Sequence, residues 1–110
     1  MIDLIRDNLD KIRELCEQHH VQRLDVFGSA ADGRFRAGES DLDFIVEFED
    51  VDPLVRGEAY LDLMVALDEL FGEVDLVTVK PPGEGNPYFW REAQSTRQVV
   101  YEKQRHEAPV

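Results

Sequence analysis

The chain has 110 residues and carries 24 acids against 12 Lys and Arg, for a formal net charge of −12 and a pI near 4.5. That length supports one domain, residues 1–110, with one modest core, and leaves no room for a catalytic domain beside a separate substrate domain. The acid excess opposes phosphate backbones, so direct stable nucleic-acid binding is not expected; it suits a basic protein partner or a cation-bound small molecule, and serves equally to keep a domain soluble.

The single cysteine, Cys16, excludes an internal disulfide and fits a reducing compartment. No apolar run approaches the roughly 18 residues of a membrane span, and Met1 to Asp10 has neither a basic region nor an apolar one of leader type. A cytoplasmic chain without membrane contact is expected.

From Ile2 to Cys16, the apolar residues Ile2, Ile5, Leu9, Ile12 and Cys16 recur at steps of three and four, which predicts one amphipathic helix with Cys16 on its buried face. His19 and His20 follow at its end. Adjacent histidines there point in different directions and have no third ligand spaced near them, so they read as a surface turn rather than a metal site.

Gln22 to Phe27 reads as a short strand with Leu24 and Val26 on one face and Asp25 and Phe27 on the other. Gly28-Ser29 closes it, and Ala30-Ala31 can start a helical turn with Ser29 as N-cap. Gly33 and Gly38 mark the bends that lead to a second strand, Asp41 to Phe48. In that strand Leu42, Phe44, Val46 and Phe48 alternate toward a core, while Asp41 and Asp43 project to the other side about 6.6 Å apart at Cα.

Leu54 to Phe71 carries Tyr60, Leu63, Met64, Leu67, Leu70 and Phe71 at helical steps, with Gly72 as C-terminal cap. Val74 to Val79 is a third strand in which Asp75 is the anomaly, an acid inside the β-prone run VDLVTV. Lys80 to Gly85 is a loop by composition, with Asn86 as N-cap and Pro87 at the first helical position after it. The final helix is expected from Tyr88 to about Gln104, with Phe89, Ala93, Thr96 and Val100 on one face, and Arg105 to Val110 should fray. The order predicts an α/β (α+β) layer structure, a small mixed β-sheet flanked by helices.

An Asp-x-Asp triplet is weak evidence by itself: 12 Asp in 110 residues give roughly one by chance, and Asp50-Val51-Asp52 in a loop is assigned no role. Context separates Asp41-Leu42-Asp43 from it. That triplet opens a strand, follows a Gly-Ser turn at the end of another strand, and is answered by Asp75 on a third. Three carboxylates converging at one end of a sheet repel one another unless cations lie between them, and hard oxygen ligands select Mg²⁺ or Mn²⁺. Two such ions suit an in-line phosphoryl displacement.

The run GSAADGRFRAGESDLDFIVEF resembles the signature of the DNA polymerase β-like nucleotidyltransferases, and in particular the minimal nucleotidyltransferase (MNT) group, many of which are antitoxins encoded beside HEPN-domain ribonuclease toxins. FGEVDLVTV and NPYFWREAQSTRQVVYE are similar to that group's third strand and last helix. One departure is the spacer, in which eleven residues separate Ser29 from Asp41 where many relatives have nine or ten; it bears on Arg34 and Arg36 more than on the acids.

The resemblance implies the DNA polymerase β-like nucleotidyltransferase fold. It also implies that Gly28 and Ser29 cradle the triphosphate of a bound nucleotide, that Asp41 and Asp43 bridge two Mg²⁺ ions, and that Asp75 binds the ion that activates an acceptor hydroxyl. Ser40 stands where it could orient Asp41, and Arg34 where it could reach a phosphate or pair with a surface acid. For MNT antitoxins the resemblance implies AMP transfer from ATP to a tyrosine of the cognate HEPN toxin, silencing its ribonuclease. Two other readings share the fold: a non-catalytic antitoxin that acts by occlusion, and a small-molecule adenylyltransferase completed by a neighbouring subunit.

Overall fold

The computed structural model describes residues 2–32, 42–78 and 87–103. Val79, the Lys80 to Gly85 loop, the Asn86 cap and the tail from Arg105 lie outside the described residues.

Alternation along the second strand sets the architecture. In β2, Leu42–Phe48, Leu42, Phe44 and Val46 are buried on one side, and Phe48 packs against the same cluster. β1, Val21–Phe27, lies antiparallel to β2, and β3, Val74–Thr78, lies parallel to it. A parallel neighbour demands a crossover, which α4, Pro53–Phe71, supplies. The helix begins where Asp52 Oδ1 accepts from the Leu54 amide at 2.9 Å, so the loop acid given no role from the sequence is a helix cap. It ends at Gly72, whose φ of +88° favours glycine.

Ala59, Leu63 and Leu67 of α4 are buried, and the Tyr60 hydroxyl donates to the Leu76 carbonyl at 2.7 Å, tying the crossover to β3. Leu61 and Val65 remain exposed among the acids of the same helix.

Two elements differ from expectation by more than a residue. The first helix is interrupted at Asp7 and Asn8, giving α1, Asp3–Arg6, and α2, Leu9–Gln18. Asn8 Nδ2 donates to the Leu4 carbonyl at 2.8 Å, an example of how Asn competes with the helical backbone. Ile5, Ile12 and Cys16 are buried, but Leu9 is partly exposed. His19 and His20 form the turn expected of them, His20 with a positive φ.

The larger difference is at the end of the chain. The final helix, α5, Pro87–Thr96, stops well short of Gln104, and Gln98–Glu102 is a fourth strand, β4, antiparallel to β1. The sheet order is therefore β3-β2-β1-β4. The run QVVYE is rich in β-formers, and without it the outer edge of β1 would carry unpaired backbone groups. Ala93 packs with Phe27, Ile45 and Val77 on one side of the sheet, while Val100 packs into the main cluster on the other. The single face expected for Ala93 and Val100 is thus split between the two layers.

Burial and the neighbouring Glu17 charge push the Cys16 thiol from 9.0 up to about 12. The folded chain then holds a proton that the unfolded chain has released, so stability contributed at this group falls as pH rises from about 9 toward 12. Urea titrations across that range should show the decline in the wild type and a shallower one in Cys16→Ala. Leu42→Ala, which empties a core position beside Phe44, should cost about 2–5 kcal/mol by urea denaturation.

Candidate functional site

The parallel register brings two of the expected acids together. Asp43 of β2 is the direct partner of Asp75 of β3. Register partners show their side chains on the same face, and neighbouring strands lie about 4.8 Å apart. The pair sits on the face opposite Leu42 and Phe44, at the start of both strands. Asp43 is half-buried and Asp75 is exposed. Asp41, Ser40, Arg34 and Arg36 lie outside the described residues.

A third element meets the acids from the end of β1. Phe27 pairs with Asp43, so the chain leaves β1 directly beside that carboxylate. Gly28 has a φ of +69°, and a Cβ built on it would stand 3.1 Å from Asp43 Oδ2. Both the left-handed backbone and the close approach call for glycine here. α3, Ser29–Asp32, begins at Ser29 itself, one residue earlier than the N-cap reading placed it; the Ala31 amide donates to the Gly28 carbonyl at 3.0 Å. The Ser29 side chain lies outside the described residues.

The Gly28 amide is engaged within the protein. It donates to Thr96 Oγ1 at 2.9 Å, at the last residue of α5. Its N–H is therefore already committed, and the space of its missing Cβ is taken up by the close approach of Asp43 Oδ2.

Sequence reasoning passed over the group that lies next along this face. Asp25 is fully buried. Arg23 Nε donates to its Oδ1 at 2.9 Å and Arg23 Nη2 to its Oδ2 at 3.0 Å, while Arg97 Nε also donates to Oδ2. A buried carboxylate is tolerated only with such charge-assisted partners, and the bond to Asp25 raises the Arg23 guanidinium pKa. The available signal was Arg23 two residues before an acid in a strand otherwise bound for the core. Arg97, 72 positions away, could not be paired with it by local pattern.

The donor set fits a hard divalent cation in kind: two carboxylates side by side with no bulky side chain at the adjoining Gly28. No group of three or more His, Cys, Asp or Glu that could hold a metal occurs among the described residues; Asp41, the third acid of the expected set, is not one of them. No helix is long and apolar enough to cross a membrane among the described residues.

A family model described as "Polymerase beta, Nucleotidyltransferase" matches residues 10–106. No curated protein matches the chain closely. Among solved structures, one assigned as a minimal nucleotidyltransferase is 30% identical with a TM-score of 0.63, over 87% of this chain and 92% of that one. A toxin-antitoxin structure with AMP-PNP is similar at 26% identity and a TM-score of 0.58, over 88% of this chain and 75% of that one. A third, from a tri-AMPylated Shewanella oneidensis HEPN toxin in complex with MNT antitoxin, shares the fold at 22% identity and a TM-score of 0.52, over 90% and 73%.

Gly28→Ala forces a Cβ into the left-handed region and against Asp43, and should lower stability by more than about 1 kcal/mol. Urea denaturation of the ligand-free protein measures it.

Proposed function

The chain belongs to the polymerase β-type nucleotidyltransferase family, and on that premise we propose that it transfers AMP from ATP to a hydroxyl of a protein acceptor, a tyrosine of a cognate HEPN-type toxin, and so acts as an antitoxin. The observation that carries the proposal is the in-register pairing of Asp43 with Asp75 beside the Gly28 turn. That arrangement gathers negative charge where a bare binding surface would gain nothing from it.

Asp41, Asp43 and Asp75 are the residues that would hold two Mg²⁺ ions, with Mn²⁺ a chemical equivalent. When bound, such ions neutralise the triphosphate and stabilise the attacking and leaving oxygens of an in-line displacement. Asp43 and Asp75 hold fixed positions because each is set by a strand rather than a loop. The Gly28-Ser29 turn would admit the triphosphate close to Asp43, with Ser40 assigned to support Asp41 and Arg34 to reach a phosphate or pair with a surface acid. The acceptor oxygen forms a bond to the α-phosphorus, the bond to pyrophosphate breaks, and the hydroxyl proton is released to solvent. The products are an AMP-modified side chain and pyrophosphate.

Use of ATP is supported by the AMP-PNP held in a similar toxin-antitoxin structure, and a toxin as acceptor by the same pairing. A protein acceptor also suits the acidic balance of this chain. Its charge of −12 favours encounter with a basic, RNA-cutting partner, and the exposed Leu61 and Val65 of α4 give such a partner apolar contact among acids.

Asp41→Ala and Asp43→Ala should each lower AMP transfer by more than about 100-fold, beyond the 10–100-fold typical of changes outside the ligand shell. The melting temperature of the metal-free protein should not fall, because each change removes a like charge from the cluster. Mass spectrometry of the toxin after incubation with ATP and Mg²⁺ reads the transfer. A toxin that never gains the mass of AMP, yet is inhibited equally by wild type and Asp43→Ala, would establish occlusion in place of catalysis.

A further inference from the structure

The buried Asp25 takes no part in the chemistry above, yet it anchors a chain of contacts that ends at Gly28. Arg97 immediately follows α5, and its side chain donates to Asp25 while its amide donates to the Ala93 carbonyl at 2.9 Å. Ala93 is itself packed against Phe27 and Ile45. The end of α5 is therefore held to β1 by a buried ion pair and by apolar contact. Thr96, between those two residues, presents its hydroxyl to the Gly28 amide at 2.9 Å. The hydroxyl can satisfy that amide because its own proton is directed at the Ala93 carbonyl, 3.4 Å away. Gly28 in turn approaches Asp43 so closely that a single methyl group there would press on Oδ2.

The geometry points to Thr96 as a positioning residue: anchored through Arg97 to the buried Asp25, it holds the Gly28 amide and so fixes the turn against Asp43, the place beside which a nucleotide's phosphates would lie. Asp25 and Arg97 act through Thr96, and none of the three touches the nucleotide. Two consequences separate this role from simple packing. The Gly28 amide is protected from solvent before any nucleotide arrives, and the property that matters at position 96 is a hydroxyl rather than a shape.

The inference rests on the nucleotide reading above, and its test keeps the two apart. Thr96→Val preserves the branched shape and removes the acceptor, whereas Thr96→Ser keeps the acceptor and removes a methyl group. AMP-PNP with Mg²⁺ is titrated into the full chain by calorimetry, and exchange of the Gly28 amide is followed by NMR without nucleotide. Wild type should bind AMP-PNP and protect the Gly28 amide. Thr96→Val should bind about ten-fold more weakly, as expected for one lost hydrogen bond, and exchange Gly28 at least ten-fold faster. Thr96→Ser should remain within about two-fold of wild type on both measures.

A wild type that binds no AMP-PNP overturns the nucleotide reading and this inference with it. A wild type that binds while Thr96→Val binds equally well overturns the inference alone, as does equal loss in Thr96→Val and Thr96→Ser. Should Thr96→Val fail to fold, Thr96→Ala replaces it, with Gly28 exchange in wild type as the independent check: an unprotected Gly28 amide overturns the inference by itself.

Discussion

Parallel pairing between β2 and β3 is the constraint on which the molecule is built. Two strands that run the same way cannot be joined by a hairpin, so α4 must travel the length of the sheet between them. That crossover covers the Leu42, Phe44 and Val46 face and returns the chain with Asp75 beside Asp43. The core and the acidic pair are consequences of the same register. A slip of one residue would turn Leu76 toward the acids and Asp75 into the apolar layer, so the packing of Leu76 holds the carboxylate in place.

Among the described residues, the opposite face of the sheet joins apolar contact with buried charge. Phe27, Ile45, Val77 and Ala93 pack together there, and the fully buried Asp25 lies on the same face with two arginines. A pair of this kind contributes little net stability compared with apolar replacements, but it is directional, and loss of one partner leaves a buried charge exposed to a poor environment. Its direction matters here because Arg97 comes from the segment between α5 and β4. One carboxylate thereby fixes where a helix ends and where the last strand begins.

Sequence patterns announced the parts whose environment is local. The alternation of Leu42, Phe44, Val46 and Phe48 is legible because one face of β2 is core throughout, and the α4 stripe is legible for the same reason. Asp41-Leu42-Asp43 stood apart from Asp50-Val51-Asp52 through its setting between a Gly-Ser turn and a strand; Asp52 proved to be a cap, a use its spacing to Pro53 could have suggested. The end of the chain was not legible. Gln98 to Glu102 fits a helical period when read on from Ala93, and only the unpaired edge of β1 decides for a strand. The engagement of the Gly28 amide was equally hidden, since it depends on Thr96, 68 positions away.

The two ends of the described chain are not equivalent. The Ile2 amide donates to the Ala30 carbonyl at 3.1 Å, which places the first described residue against α3, at the end of the sheet where β1 gives way to Gly28. β4 runs antiparallel to β1 and departs through Lys103, whose amide bonds to the Gln22 carbonyl at 2.8 Å, a strand length of roughly 20 Å from the acids for seven residues of β1. The first described residue and the last therefore lie at opposite ends of the sheet, Ile2 at the end that carries Asp43 and Asp75 and Lys103 at the other.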